Sequence, residues 1–140
     1  MDLLEQRDSV GKTCFFLATE HGVTEILDFL MDAEAFPALN LFCKDTFEGD
    51  IPLHMAARVG NHELARKLFS LKPELCLATN FKGHTPIFIA TQQKDLTMLE
   101  IFGGYKNEAL KLRDYLGENP LFVCARNGLE DIFNWFCGDN

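Results

Sequence analysis

The segment Gly11-Lys12-Thr13 contains the residue types with which many proteins hold a nucleotide phosphate. Glycine backbone N–H groups can surround phosphate oxygens, while a lysine and a threonine hydroxyl bind the phosphate and its magnesium ion. The full motif also needs a glycine five residues before Gly11, where this chain has Gln6, and a preceding hydrophobic strand, which the sequence lacks. We therefore expect a structural role for this segment and no nucleotide binding.

Histidine and serine residues are further groups that could take part in catalysis or metal binding. His21, His62 and His84 have no carboxylate or cysteine at a spacing typical of metal ligands. Neither Ser9 nor Ser70 lies in a glycine-flanked turn with a histidine in phase. The sequence therefore predicts no catalytic residue, no metal site and no cofactor, and hence a protein that is not an enzyme.

The five cysteines are an odd number and include no Cys-x-x-Cys pair. This distribution favours free thiols in a reducing compartment over a disulfide framework. We expect Cys14 and Cys124 to face neighbouring helices, where a small thiol packs well. Cys43 and Cys76 fall at similar places in successive return loops, and we expect them to be unpaired.

A repeated pattern organises these residues. It is clearest in Gly83-His-Thr-Pro-Ile-Phe-Ile-Ala90, and the other copies begin at Gly11, Gly49 and Gly117. The leading glycines are 38, 34 and 34 residues apart. A period in this range is typical of stacked-repeat proteins.

Each copy predicts a turn, a short helix, a tight break, a second helix and a return loop. Thr85 is suited to cap the first helix and Pro86 to begin it. The break is a glycine in three copies but Lys94 in the third. Two helices of about ten residues are not stable alone, so the units must pack on one another. Small residues let neighbouring first helices approach closely: Ala18, Ala56, Ala57, Ala90 and Ala125.

The segment from Ile51 to Gly60, Ile-Pro-Leu-His-Met-Ala-Ala-Arg-Val-Gly, resembles the ankyrin repeat family, and the likeness covers about residues 8–140 in four copies. The resemblance implies an all-α helical repeat solenoid with β-turn or hairpin fingers along one edge. It also implies that His54 hydrogen-bonds backbone between repeats. We expect one ankyrin repeat domain over residues 1–140, with an insertion near residues 33–38 and units of approximately 8–45, 46–79, 80–113 and 114–140.

Charge and hydropathy exclude several classes of partner. The net charge of −8 argues against nucleic acid or an anionic membrane, because both need a basic surface. No apolar run approaches the roughly 20 residues that span a bilayer. The first residues lack the basic and apolar segments of a secretory signal. We expect an intracellular, cytoplasmic protein, with the nucleus also compatible.

Stacking in register places equivalent residues in rows. The position two residues before each turn glycine holds Ser9 and then an aromatic row of Phe47, Phe81 and Tyr115. Turns normally favour small polar residues, and exposed aromatics are enriched in interface hot spots. Either these rings bind a partner protein or each folds back and staples neighbouring turns, and the sequence leaves both interpretations open.

The resemblance implies two further rows, because turn tips and first-helix ends line the concave face with which ankyrin-type proteins bind their partners. The first row directly follows the turn glycines and consists of Lys12, Asp50, His84 and Glu118. The second row lies at the ends of the first helices and consists of Glu20, His21, Arg58, Val59, Gln92, Gln93, Arg126 and Asn127. We expect these rows and the aromatic row to contact a partner protein.

The last predicted helix carries four large apolar residues, Ile132, Phe133, Trp135 and Phe136. They are too many for one face of a helix that closes a solenoid, so we expect some to be exposed as an interface. Two explanations stay open. The chain is a segment of a longer protein with further repeats or another domain after residue 140, or, as the second choice, it self-associates through this end.

The function that follows is a non-catalytic protein–protein interaction module, either a scaffold or an adaptor. The alternative is a targeting or regulatory segment of a larger enzyme or secreted effector, with its catalytic domain outside these residues. A purely structural spacer is disfavoured by the aromatic row.

Overall fold

The computed structural model describes residues 3–32 and 40–138, and within these ranges it consists of helical pairs joined by turns. The helices are α1 (Cys14–His21) paired with α2 (Thr24–Met31), α3 (Pro52–Val59) with α4 (His62–Leu71), α5 (Pro86–Gln92) with α6 (Leu96–Ile101), then an additional helix α7 (Lys106–Lys111), and finally α8 (Pro120–Asn127) with α9 (Glu130–Cys137). Short 3-10 turns cover Leu3–Glu5, Pro73–Leu77 and Gly103–Tyr105. The predicted all-α repeat solenoid is confirmed. The insertion expected near residues 33–38 lies outside the described residues.

Local hydrogen bonds fix where the first helices begin. Thr85 Oγ1 accepts the N–H of Phe88 at 3.1 Å, and Thr13 caps α1 in the same way. The second pair has Ile51 at this position, which has no side-chain acceptor. There the N–H of Ile51 donates to Nδ1 of His54 at 3.1 Å, so a histidine on the first turn of α3 supplies the missing local bond.

A residue in the left-handed conformation follows each first helix. Gly22, Gly60 and Gly128 have φ values of 65°, 72° and 65°. Lys94 takes the same place in the third pair with φ 58°, and it is the only non-glycine residue of the described ranges with a positive φ. The third pair therefore keeps the helix break without the residue type that favours it.

We expect Lys94→Gly to raise the free energy of unfolding by about 1 kcal/mol, because a side chain on a left-handed residue costs about that much. Urea unfolding measures the change. The matched control is Gly128→Lys, since no atom lies within 4 Å of a Cβ built there. This control isolates the backbone effect, and it should lose about the same amount. An unchanged unfolding midpoint for Lys94→Gly would contradict the prediction.

The pairs stack through their first helices, with α1 against α3, α3 against α5 and α5 against α8, while α4 packs on α6. Small side chains lie at these contacts, as predicted, and Ala56, Ala57 and Ala90 are fully buried. Close helix packing requires such small residues because larger ones would hold the backbones apart. Ala125 differs from the expectation, because it is exposed on α8, which has no further helical pair packed beyond it in the described chain.

The return segment after α6 is helical where the sequence predicted a loop. Its helix α7 carries Lys106, which is 7% exposed although lysine is seldom buried. The Lys106 ammonium donates to the backbone carbonyls of Trp135 and Gly138 and lies 5.6 Å from the centroid of the indole ring. These carbonyls belong to the end of α9, so Lys106 satisfies acceptors that a helix end leaves open.

Candidate functional site

The turns that precede the helical pairs, which we call fingers, are closed by one polar side chain each. In the third finger the Asn80 side-chain oxygen accepts the N–H groups of Lys82 and His84, both at 3.0 Å. Gly83 is left-handed with φ 78°, which an L side chain seldom adopts. Asp8, Asp45 and Asp114 close the other fingers with the same kind of bonds. We call these four residues the keystones.

Neighbouring fingers are joined by one backbone hydrogen bond at each junction. The N–H of the residue after the keystone donates to a carbonyl of the preceding finger, from Phe81 to Glu48 at 2.8 Å and from Tyr115 to Lys82 at 3.1 Å. At the first junction the donor is Thr46, not Phe47. The second finger has one residue more between its keystone and its glycine than the others. Phe47 is therefore displaced from the register of the two other aromatics.

The environments of the three aromatic side chains differ. The Phe81 ring lies against Gly49, since a Cβ built on that glycine would come within 2.5 Å of the ring, and the Lys44 ammonium is 5.9 Å from the ring centroid. Phe47 and Tyr115 are 71% and 79% exposed, whereas Phe81 is 46% exposed. Phe81 thus has the geometry of a staple, and Phe47 and Tyr115 leave their rings open.

The two charged rows that the sequence suggested are paired with each other. Lys12 binds Glu20 at 2.8 Å, Asp50 binds Arg58 at 2.7 Å and Glu118 binds Arg126 at 2.8 Å. In each pair the residue after the turn glycine meets the residue eight positions later, at the end of the first helix. These contacts were not predicted from the sequence. Opposite charges eight residues apart in three of the four copies would have indicated them. Their charges are neutralised within each unit.

Asp50 is the most buried member of these pairs. Burial by itself would raise the pKa of this carboxyl, but hydrogen bonds from Arg58 and from the side-chain amide of Asn80 hold the pKa below its usual range. The bond from Asn80 is 2.9 Å long and crosses from the second unit to the third. Asp50 therefore remains ionised and ties two fingers together.

His84 interrupts the row of ion pairs. Its ring stacks on Phe88 with centroids 4.2 Å apart, and Nε2 lies 3.2 Å from Oδ2 of Asp114. Burial lowers the pKa of His84, and the neighbouring Asp114 carboxylate opposes that change. The other predicted members of the second row, His21, Val59, Gln92, Gln93 and Asn127, are exposed to solvent.

His54 has the structural role that the resemblance implies. Its Nε2–H donates to the His84 carbonyl of the next unit at 2.9 Å, while Nδ1 accepts the N–H of Ile51. Burial lowers the pKa of His54 to about 4. The prediction of a backbone bond between repeats is confirmed.

The four apolar residues of α9 face different surroundings. Ile132 and Phe136 are buried and belong to the hydrophobic core. Trp135 is half-buried beneath Lys106, and Phe133 is 39% exposed. Only part of the expected terminal interface is thus at the surface.

The remaining reactive groups form no shared centre in the ranges 3–32 and 40–138. All five cysteines are free thiols. Cys124 is buried as predicted, but the prediction for Cys14 is wrong, because Cys14 is exposed. No three side chains of the metal-ligating types lie together in this part of the chain, and none of its helices is long and apolar enough to cross a membrane.

Comparison with known proteins gives three relationships. A family model for ankyrin repeats, in three copies, matches residues 53–140. The yeast (Saccharomyces cerevisiae) protein called "Probable 26S proteasome regulatory subunit p28" is 28% identical over 140 residues, which cover 97% of this chain and 59% of the yeast protein. The bovine (Bos taurus) protein called "Inactive serine/threonine-protein kinase TEX14" is 33% identical over 96 residues, which cover 66% of this chain and 6% of that protein. The chain therefore spans less than two thirds of either relative.

Proposed function

The chain belongs to the ankyrin repeat family, and from this premise we propose that it is a non-catalytic scaffold or adaptor that recognises a partner protein through its concave face. The face consists of the finger tips and the ends of the first helices. A folded subunit of a larger assembly is the partner that the name of the yeast relative suggests. We also propose a cytoplasmic location, in keeping with the free thiols, and the division into four units.

The exposure of Phe47 and Tyr115 is the observation that carries this proposal. Both rings are more than two-thirds exposed, and both stand on fingers that a keystone side chain and backbone hydrogen bonds hold in place. A rigidly held aromatic side chain loses little conformational freedom on binding and buries a large area. These are the properties of interface hot spots.

The ion pairs limit what else can drive recognition. Because Lys12, Asp50 and Glu118 already have partners within their own units, a binding protein gains little from adding an opposite charge. We infer that the partner contributes apolar groups to the open rings and hydrogen-bonding groups to Gln92 and Gln93. Charge would then adjust the rate of association more than the affinity.

A second candidate function is a targeting segment within a larger regulatory protein. It is favoured by the bovine relative, of which the matched residues are only 6% and whose name describes an inactive kinase. The same concave face would then select what the larger protein binds. Affinity capture distinguishes the two functions. A targeting segment would be recovered as part of a longer polypeptide that carries the catalytic domain, whereas a scaffold or adaptor would be recovered with a separate binding protein.

Alanine substitutions in the aromatic row test the proposed face. We expect Tyr115→Ala and Phe47→Ala each to weaken partner binding by about 2 kcal/mol, roughly 30-fold, with an unfolding midpoint close to that of the unchanged chain. Affinity capture identifies the partner, and calorimetric titration then measures its dissociation constant.

Phe81→Ala is the matched control because its ring packs on Gly49. We expect it to lower the free energy of unfolding by about 1–2 kcal/mol. Full binding by the Phe47/Tyr115 double variant, together with unchanged stability, would rule out these rings as the recognition surface.

A further inference from the structure

The second helices of the first two pairs leave a groove between them. Helix α4 packs directly on α6, whereas α2 and α4 do not approach each other as closely. Counted from Gly22 and Gly60, the position of Ala65 in α4 holds the larger Leu27 in α2. Larger side chains set packed helices farther apart. The wider part of the groove has a volume of about 450 Å³.

The residues that line the groove recur along both helices at helical spacing. On α2 they are Thr24, Leu27, Asp28, Met31 and the adjoining Asp32, and on α4 they are Glu63, Leu64, Lys67, Ser70 and Leu71, with Asn61 just before. Positions three, four and seven apart lie on one face of a helix, so the groove runs parallel to both helices. A trough of this shape can hold an α-helix laid along it.

The floor of the groove is apolar. Leu27 and Leu64 are each 3% exposed and close its bottom. Met31 is half-buried and Leu71 is 48% exposed, and both line the wider part. Methionine adapts its shape to what it contacts. Met31 and Leu71 therefore offer apolar surface to an occupant.

The rim of the groove has an excess of carboxylates. The Lys67 ammonium is shared by two of them, with Asp28 at 2.9 Å and Glu63 at 3.3 Å. The third carboxylate, Asp32, has no ion pair or side-chain hydrogen bond with the described residues. Three carboxylates thus surround one ammonium, and the rim is negative overall.

These acidic residues do not stabilise α2. The carbonyl end of a helix carries partial negative charge and favours basic side chains. Asp28 and Asp32 nevertheless lie at this end, and α2 has no basic residue in its last turn. Glu25 and Arg66, exposed on the same two helices, add one charge of each sign and leave the excess unchanged. An arrangement that opposes local stability indicates a role in binding.

We propose that the groove binds a basic amphipathic helix of a partner protein. The apolar side chains of that helix would pack on Met31 and Leu71. A basic side chain on its flank would bind Asp32 and share Asp28 with Lys67, whereas an acidic helix would be repelled by the rim. No lining residue belongs to the concave face, so the inference goes beyond the proposed function and does not rest on it.

A designed helical peptide tests the proposal. The peptide has about 16 residues, with leucine at every third or fourth position and arginine on both sides of the leucine stripe. Titration into the 140-residue chain is followed by fluorescence anisotropy. We expect saturable binding that weakens several-fold between about 50 and about 200 mM salt, because exposed charges are screened. The same peptide with glutamate in place of each arginine should bind about tenfold more weakly.

Asp32→Lys separates the groove from the overall charge of the chain. We expect it to weaken peptide binding about tenfold while the Tm stays the same or rises, because a carboxylate leaves the carbonyl end of a helix. Glu100→Lys is the matched control, since Glu100 is also exposed and lies near the end of α6 but does not line the groove. It should leave peptide binding within about twofold of that of the unchanged chain.

Leu71→Ser tests the apolar floor. We expect it to weaken peptide binding about fivefold, with a Tm within about 2 °C of the original because Leu71 is half-exposed. Leu116→Ser removes an equal apolar group from the fourth finger, where Leu116 is 80% exposed, and should change neither quantity. The Phe47/Tyr115 double alanine variant should also bind the peptide fully, so the concave face is tested separately.

Four results would overturn the proposal. The first is the absence of saturable binding up to about 1 mM peptide. The second is equal binding of the arginine and glutamate peptides, and the third is equal weakening by Asp32→Lys and Glu100→Lys. In the fourth, the 140-residue chain is a dimer by light scattering and becomes a monomer on Leu71→Ser, so that a second copy covers the groove.

Discussion

Gly83→Ala is expected to lower the free energy of unfolding by about 3 kcal/mol, an unusually large effect for adding one methyl group. Gly83 has φ 78°, so alanine there meets a left-handed penalty of about 1–2 kcal/mol. A Cβ would also lie 2.8 Å from the Cα of Asp114 on the next finger. Backbone cannot move aside as a flexible side chain can, so the two fingers would have to separate, which adds about 1–3 kcal/mol.

Gly117→Ala is the matched control for this prediction. Gly117 has nearly the same conformation, with φ 75°, but no atom lies within 4 Å of its added Cβ. We expect a loss of only about 1 kcal/mol. Urea unfolding of the two variants measures the difference, which reports the close approach of the third and fourth fingers. Equal losses would show that this approach contributes nothing to stability.

Lowering the pH from 6.5 to about 4 is expected to remove about 3 kcal/mol of stability through His54. Burial lowers the pKa of His54 from 6.5 to about 4, so in this window the unfolded chain binds a proton and the folded chain does not. Stability therefore falls as the pH falls, by about 1.4 kcal/mol per pH unit. The hydrogen bonds of His54 agree with this lowered pKa. Nδ1 accepts the Ile51 N–H, so a proton added to Nδ1 would have to break that bond.

The pH dependence is checked by urea unfolding at pH 7 and pH 5. His54→Gln should be less stable at pH 7, because it weakens the bonds to Ile51 and His84. Its free energy of unfolding should, however, differ much less between pH 7 and pH 5 than that of the unchanged chain. His84 contributes in the same direction, since its pKa is also lowered by burial. Asp50, whose pKa is held below 3.8, stabilises the fold above that pH and loses its contribution only in stronger acid. An unchanged pH difference in His54→Gln would contradict the assignment.

The fold was predictable because it repeats. The start and end of each first helix depend on residues within or next to that helix, such as the capping residue, Pro86 and the left-handed residue at the break. The 34-residue period of the later copies shows that these signals recur in phase. The same local logic identified the structural role of Gly11-Lys12-Thr13, in which Gly11 has φ 77° and Thr13 caps α1. Helix α7 escaped prediction, because its stability depends on Lys106 reaching a helix end about thirty residues away.

The site was only partly predictable, because side-chain partners are chosen in three dimensions. The sequence identified the rows of Lys12, Asp50 and Glu118 but not their pairing with the helix ends. Counting back from the glycine also placed Phe47 in register with Phe81, whereas the extra residue of the second finger gives that hydrogen bond to Thr46.

By itself the sequence determined the repeat, the helices and the places where fingers form, since these depend on backbone preferences and on apolar residues at a fixed period. Only the tertiary structure decided which exposed groups are available for binding. Stacking covers Phe88 with the next unit but leaves Phe122 open, and it lays Phe81 on Gly49 but leaves Tyr115 in solvent. The same residue type at the same repeat position thus differs in burial, because burial depends on what the neighbouring unit covers.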